Sequence, residues 1–209
     1  MSADIEKAKF YLKTEEFDKA EEIFSTVFDS DENSIQAIKG LVICKIAQSN
    51  FDNSKIKAAG VYFDKLNELN FYAEEKEELT ENILKQIHEY FKRLNKKFQE
   101  EANELTKRPA LYGQLYTVKQ LVDTTDYMGF LNNHVNKFEE GINLAAKTYD
   151  LTKLKEDVAQ KIFSLHELLF QNIKNTPQMM GKTLLEAKGL SSLKESQKKW
   201  LDLTNPALK

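Results

Sequence analysis

Three features of this 209-residue sequence predict an all-α fold. Apolar residues recur every three or four positions almost throughout, and no run alternates strictly between Gly or Asn-Gly turn signals. Only 7 Gly and 3 Pro interrupt the pattern, so long helices meet few breakers. The periodicity divides into about ten helices: antiparallel pairs over residues 1–72, a long connecting helix over 73–105, and a helical bundle over 106–209.

The first stripe is Ile5, Ala8, Tyr11 and Leu12. "KTEEF" interrupts it, and a second stripe runs from Phe17 through Ala20, Ile23, Phe24, Val27 and Phe28. "DSDENS" is a polar turn that ends in the candidate N-cap Ser34. Ile38, Leu41, Val42 and Ile46 make a third helix, and Ile56, Ala59, Val61, Phe63 and Leu66 a fourth, with "QSNFDNS" between them. The long helix carries Leu79, Ile83, Ile87, Leu94, Phe98 and Leu105 at steps of three and four. Its acidic start "EEKEEL" and basic later part "KRLNKK" suit the helix dipole, so a solvated face explains the charge run.

Pro109 suits the first position of a sixth helix, because its missing N–H costs nothing there. "DTTDYMG" reads as a break before a seventh helix from Phe130 to Tyr149. Thr152 caps an eighth with Leu154, Val158, Ile162, Leu165, Leu168 and Leu169. Thr176 and Pro177 open a ninth that ends near Gly189. "SLKE" at Ser192 to Glu195 fits a capping box at the start of a last helix through Trp200 and Leu203.

Composition narrows the function classes. The single Cys44 can form no internal disulfide and sits in the apolar run "LVICKIA", as a small buried hydrophobe would. An N-terminus with early acidic residues and no apolar h-region, together with the lack of an 18-residue apolar run, predicts a cytoplasmic chain with no membrane segment. Residues 1 to 105 hold 15 Lys+Arg against 22 Asp+Glu, and residues 106 to 209 hold 15 against 11, so the two halves differ in sign. Only Arg93 and Arg108 are arginines. The lysines lack the planar fork of specific base recognition, which argues against sequence-specific nucleic-acid binding.

A repeat stands out at a period of 34. Phe17 and Phe51, Asp18 and Asp52, Ala20 and Ser54, Phe24 and Ala58, and Val27 and Val61 are all so spaced. This pattern over about residues 4 to 70 resembles the tetratricopeptide repeat, a two-helix unit that buries its apolar face only by stacking on neighbours. Phe17 resembles the aromatic after the intra-repeat turn, Ala20 the small residue where helices cross, and Gly40 lies near the close-packed position of the next unit. The family's Gly before the aromatic is replaced by Glu15 and Glu16, and its closing Pro by an acidic turn. Lys85 stands one period beyond Phe51, inside the long helix, so a third unit is not expected.

What the resemblance implies is a protein or peptide partner on a concave groove lined by the first helix of each unit. Lys9, Lys13 and Lys39 would face that groove, with Leu12, Ile43 and Ile46 nearby, and the lysines would attract an acidic peptide or a C-terminal carboxylate. The expected function is a non-enzymatic adaptor or scaffold with no cofactor.

Catalytic templates find little support. His88, His134 and His166 fall on separate predicted helices without metal-ligand spacing. "GKT" at Gly181 to Thr183 lacks the first glycine and the strand of a phosphate-binding loop. Met179 and Met180 beside Leu184 and Leu185 read as packing residues. The alternative reading is an all-α enzyme or ligand-binding bundle, with Tyr112, Tyr116, Tyr127, His134 and His166 meeting in three dimensions. Self-association through the long helix or "MMGKTLLEA" is a third.

Overall fold

The computed structural model describes residues 2–49, 53–69, 71–107, 116–174 and 190–204. These form eight helices and no strand: α1 (Ser2–Lys13), α2 (Phe17–Ser30), α3 (Ile35–Ala47), α4 (Ser54–Asn67), α5 (Ala73–Lys107), α6 (Tyr116–Thr148), α7 (Lys155–Lys174) and α8 (Leu190–Thr204). None of the described helices is long and apolar enough to cross a membrane. The longest, α5, has 35 residues, which at 1.5 Å each is about 52 Å.

α3 buries eight of its 13 residues and sits at the centre. Ala37, Leu41 and Cys44 pack with Ile5 and Ala8 of α1 and Ala20, Phe24 and Val27 of α2. Its opposite face, Ile38, Val42 and Ile46, joins a larger core built on the long stripe of α5 and continuing into α4, α6, α7 and α8. That larger core draws on all three predicted segments of the chain.

Polar contacts between helices fix their directions. Gln48, just past α3, donates to Asp18 at the start of α2 at 2.8 Å, and Lys45 pairs with Glu21, so α2 and α3 run oppositely. Gln36 at the start of α3 donates at 2.9 Å to Glu75 at the start of α5, so these two run in the same direction. Arg93 of α5 caps the far end of α3, donating to the carbonyls of Ala47 at 2.9 Å and Ser49 at 3.2 Å. α4 and α6 are also parallel: Lys57 meets Glu140 at 3.5 Å and Lys147 meets Asp64 at 2.6 Å, both 83 residues apart. α5 and α7 share a direction too, since Asn95 donates to the Leu168 carbonyl and Gln99 to Asn172.

Close approaches depend on small residues. A Cβ on Gly40 of α3 would collide with the ring of Phe24 on α2, and one on Gly141 of α6 would collide with Phe91 on α5. In both cases the missing side chain lets an aromatic ring lie against the helix backbone.

Several predicted elements differ. α6 runs unbroken where "DTTDYMG" was expected to divide it. Gly129 costs about 1 kcal/mol relative to Ala but does not forbid helix, and Asp and Thr are tolerated inside one. α8 begins at Leu190, so Ser192 lies within the helix and is not its cap. Thr152 lies ahead of α7, where its hydroxyl accepts the Leu154 amide at 3.0 Å. Ser34 occupies the N-cap of α3, but its hydroxyl makes no cap hydrogen bond. The expected helix starts at Pro109 and at Thr176–Pro177 lie outside the described residues.

Candidate functional site

The turn from α1 into α2 shapes one end of a cleft. Glu16 N–H bonds the Tyr11 carbonyl at 2.9 Å and Glu15 N–H bonds that of Leu12 at 3.2 Å, the pair of bonds that closes a Schellman motif. That motif needs a left-handed residue at its penultimate position, and Glu15 supplies it with φ of 60°. The turn sends α2 back along α1, leaving one face of α1 beside α3 and α5.

Between α1, α3 and α5 opens a cleft of about 730 Å³. Its apolar lining includes Leu12, Phe17, Ile43 and Leu79, with Phe24 and Gly40 beneath. Five of the six residues expected from the sequence line it together: Lys9, Leu12, Lys13, Lys39 and Ile43. Ile46 does not. It is fully buried on the side of α3 that packs into the core shared with α4 and α5.

The lysines are not alone. Lys9 pairs with Glu6 at 3.0 Å, and Lys39 lies 3.4 Å from Glu75, which also accepts from Gln36. Glu15, Glu78 and Lys85 join them, so the cleft holds four lysines and four glutamates. A uniformly basic groove is thus replaced by a mixed one. Two of the four missed carboxylates come from α5, and no local sequence signal places Glu75 beside Lys39, 36 residues earlier.

Of the second-half candidates, the described His134 and His166 lie on different helices with different partners. His134 is buried on α6 between the rings of Phe98 and Phe138, with centroids 4.4 and 5.0 Å away. Burial, helped by the charge of Lys137, pushes its pKa down to about 3, so it is neutral near pH 7. His166 on α7 donates from Nδ1 to the Ile162 carbonyl at 2.9 Å, which makes Nε2 the acceptor for Ser196 at 3.1 Å. Burial lowers its pKa, opposed by the Ile162 carbonyl and by Glu167. This bond joins α7 to α8. Tyr112 lies outside the described residues, as do the side chains of Tyr116 and Tyr127. Met179, Met180 and Gly181 to Thr183 lie outside them as well. Among the described residues no His, Cys, Asp or Glu cluster is arranged to hold a metal ion. Burial raises the Cys44 thiol to about 12, which leaves it a packing group at neutral pH.

No protein-family model, curated protein or solved structure matches the chain.

Proposed function

We propose that the chain is a non-enzymatic interaction module whose first two helix pairs, α1/α2 and α3/α4, are tetratricopeptide-like, and that it binds a segment of another protein in the cleft between α1, α3 and α5. The observation that carries this reading is the cleft itself: a partly apolar floor of Leu12, Ile43 and Leu79, rimmed by charged side chains on three neighbouring helices. Apolar area supplies affinity in such a groove, and the polar rim supplies register. The alternation of direction from α2 to α3 and the common direction of α3 and α5 support the pairing. In this reading α5 stands where the first helix of a third unit would, and α6 to α8 close the stack, as a repeat array requires of its end.

The histidines have structural work in this account: His134 fills an aromatic layer and His166 ties α7 to α8. The test is to pan a random dodecapeptide library on the wild type and on Asn82→Trp. Asn82 is an exposed cleft residue on α5, so the indole fills the groove without entering the core. Clones enriched on the wild type and lost on the variant are expected. Clones retained equally by both would overturn the reading.

A further inference from the structure

The chemistry of the occupant follows from how the charges are ordered along the cleft, an inference that rests on the cleft reading above. α1 and α3 both oppose α2, and α3 and α5 run in the same direction, so the three lining helices share one sense. Toward the end where they begin lie Glu6, Glu75 and Glu78 against Lys39. Toward the end where α1 finishes lie Lys9, Lys13 and Lys85 against Glu15. One end of the groove therefore has more carboxylates than ammonium groups, the other end has the reverse, and Ile43 and Leu79 lie between.

The ion pairs Lys9–Glu6 and Lys39–Glu75 are part of this ordering and soften it without removing it. An occupant with charges of a single sign meets attraction at one end and repulsion at the other. One with opposite charges at its two ends is attracted at both, in one orientation only. Glu75 and Lys85 are ten residues apart on α5, about 15 Å along the helix axis. An extended chain covers that distance in about four or five residues.

We propose that the cleft takes a short extended protein segment with Lys or Arg at one end and Asp or Glu about four or five residues away, and an apolar residue between them. Exposed ion pairs add little affinity each. Their main effect is to set orientation and to reject segments of uniform sign.

The experiment uses synthetic peptides made from dodecapeptide clones that the wild-type chain enriches and Asn82→Trp does not. Each is titrated against the wild type, against Lys13→Glu/Lys85→Glu and against Glu6→Lys/Glu78→Lys, with circular dichroism confirming that each variant is folded. All four positions are exposed, so the substitutions leave the core untouched. Enriched clones should carry opposite charges at the stated spacing. The first variant should weaken binding about tenfold, and replacing the peptide's acidic residue by Lys should restore it. The second variant should behave as the mirror image, restored by replacing the peptide's basic residue by Glu. Cleft-dependent clones with one sign of charge or none, or affinities unmoved by both reversals, would overturn the charge ordering and leave the cleft reading intact. A library that yields no clone dependent on Asn82 would overturn both.

Discussion

Phe28 of α2 and Tyr62 of α4 meet edge to face, their ring centroids 5.5 Å apart and their planes at 88°. They are 34 residues apart, and Lys65 of α4 lies 4.8 Å over the Phe28 ring while pairing with Glu32 at 3.1 Å. The contact joins the second helix of the chain to the fourth. Such a pair contributes beyond its buried area because the positive edge of one ring meets the negative face of the other. A double-mutant cycle with Phe28→Ala and Tyr62→Ala, read by urea unfolding, should give a coupling of about 0.5 to 1.5 kcal/mol. Additive losses would mean the rings are neighbours without interacting.

Glu15 holds a backbone conformation that disfavours any side chain with a Cβ. The Schellman bonds of Glu15 and Glu16 require it there, so the cost is retained in the native state. Glu15→Gly should stabilise the protein by about 0.5 to 1 kcal/mol, after the extra freedom of glycine in the unfolded chain is subtracted. Thermal unfolding at matched concentration checks this; a lower midpoint would contradict it.

Gly40 and Phe24 form a lock between α3 and α2. Gly40→Ala should cost about 1 to 3 kcal/mol, since the methyl group enters space the buried ring occupies. Phe24→Leu should make the alanine tolerable, so the double variant should lose less than the sum of the two single ones. Equal sums would show that the ring moves aside freely.

His134 makes stability fall in acid. The unfolded chain takes up this proton near pH 6.5, whereas burial among Phe98 and Phe138 holds it off the folded chain until about pH 3. The unfolded state therefore binds more protons between those limits. The stabilising contribution is complete above about pH 6.5 and is lost toward pH 3, at about 1.4 kcal/mol per pH unit. Carboxylates titrate in part of the same window, so the informative quantity is the difference from His134→Gln. Urea midpoints of the wild type should fall more steeply between pH 6 and pH 4 than those of the variant. Parallel curves would contradict the account.

Helix existence was legible in this sequence wherever one apolar stripe faced one core. On α5, Leu79, Ile83, Ile87, Leu94 and Phe98 all proved buried, because a long stripe averages over local exceptions. Polar punctuation was less reliable. The turn "DSDENS" coincides with a real helix end, but "DTTDYMG" lies inside α6, since Asp, Thr and one Gly weaken a helix without ending it. The cleft was legible as far as α1 and α3. Lys9, Lys13 and Lys39, which the resemblance assigned to a groove, line it, whereas Ile46 lies in the core shared with α4 and α5. Glu75 and Glu78 were not legible as groove residues. Their position depends on how α5 stacks against α3, a tertiary relation with no local signature.

The most direct test of the cleft as the working surface is a contact measurement. A dodecapeptide enriched on the wild type, with a benzophenone amino acid in place of one of its residues, would be irradiated with the wild-type chain. Mass spectrometry should find the peptide joined to residues that line the cleft, such as Leu12, Ile43 or Asn82, and not to Val61, which is exposed on α4 and is not among them. Joining at Val61, or none in the cleft with the peptide saturating, would show that the occupied surface is elsewhere.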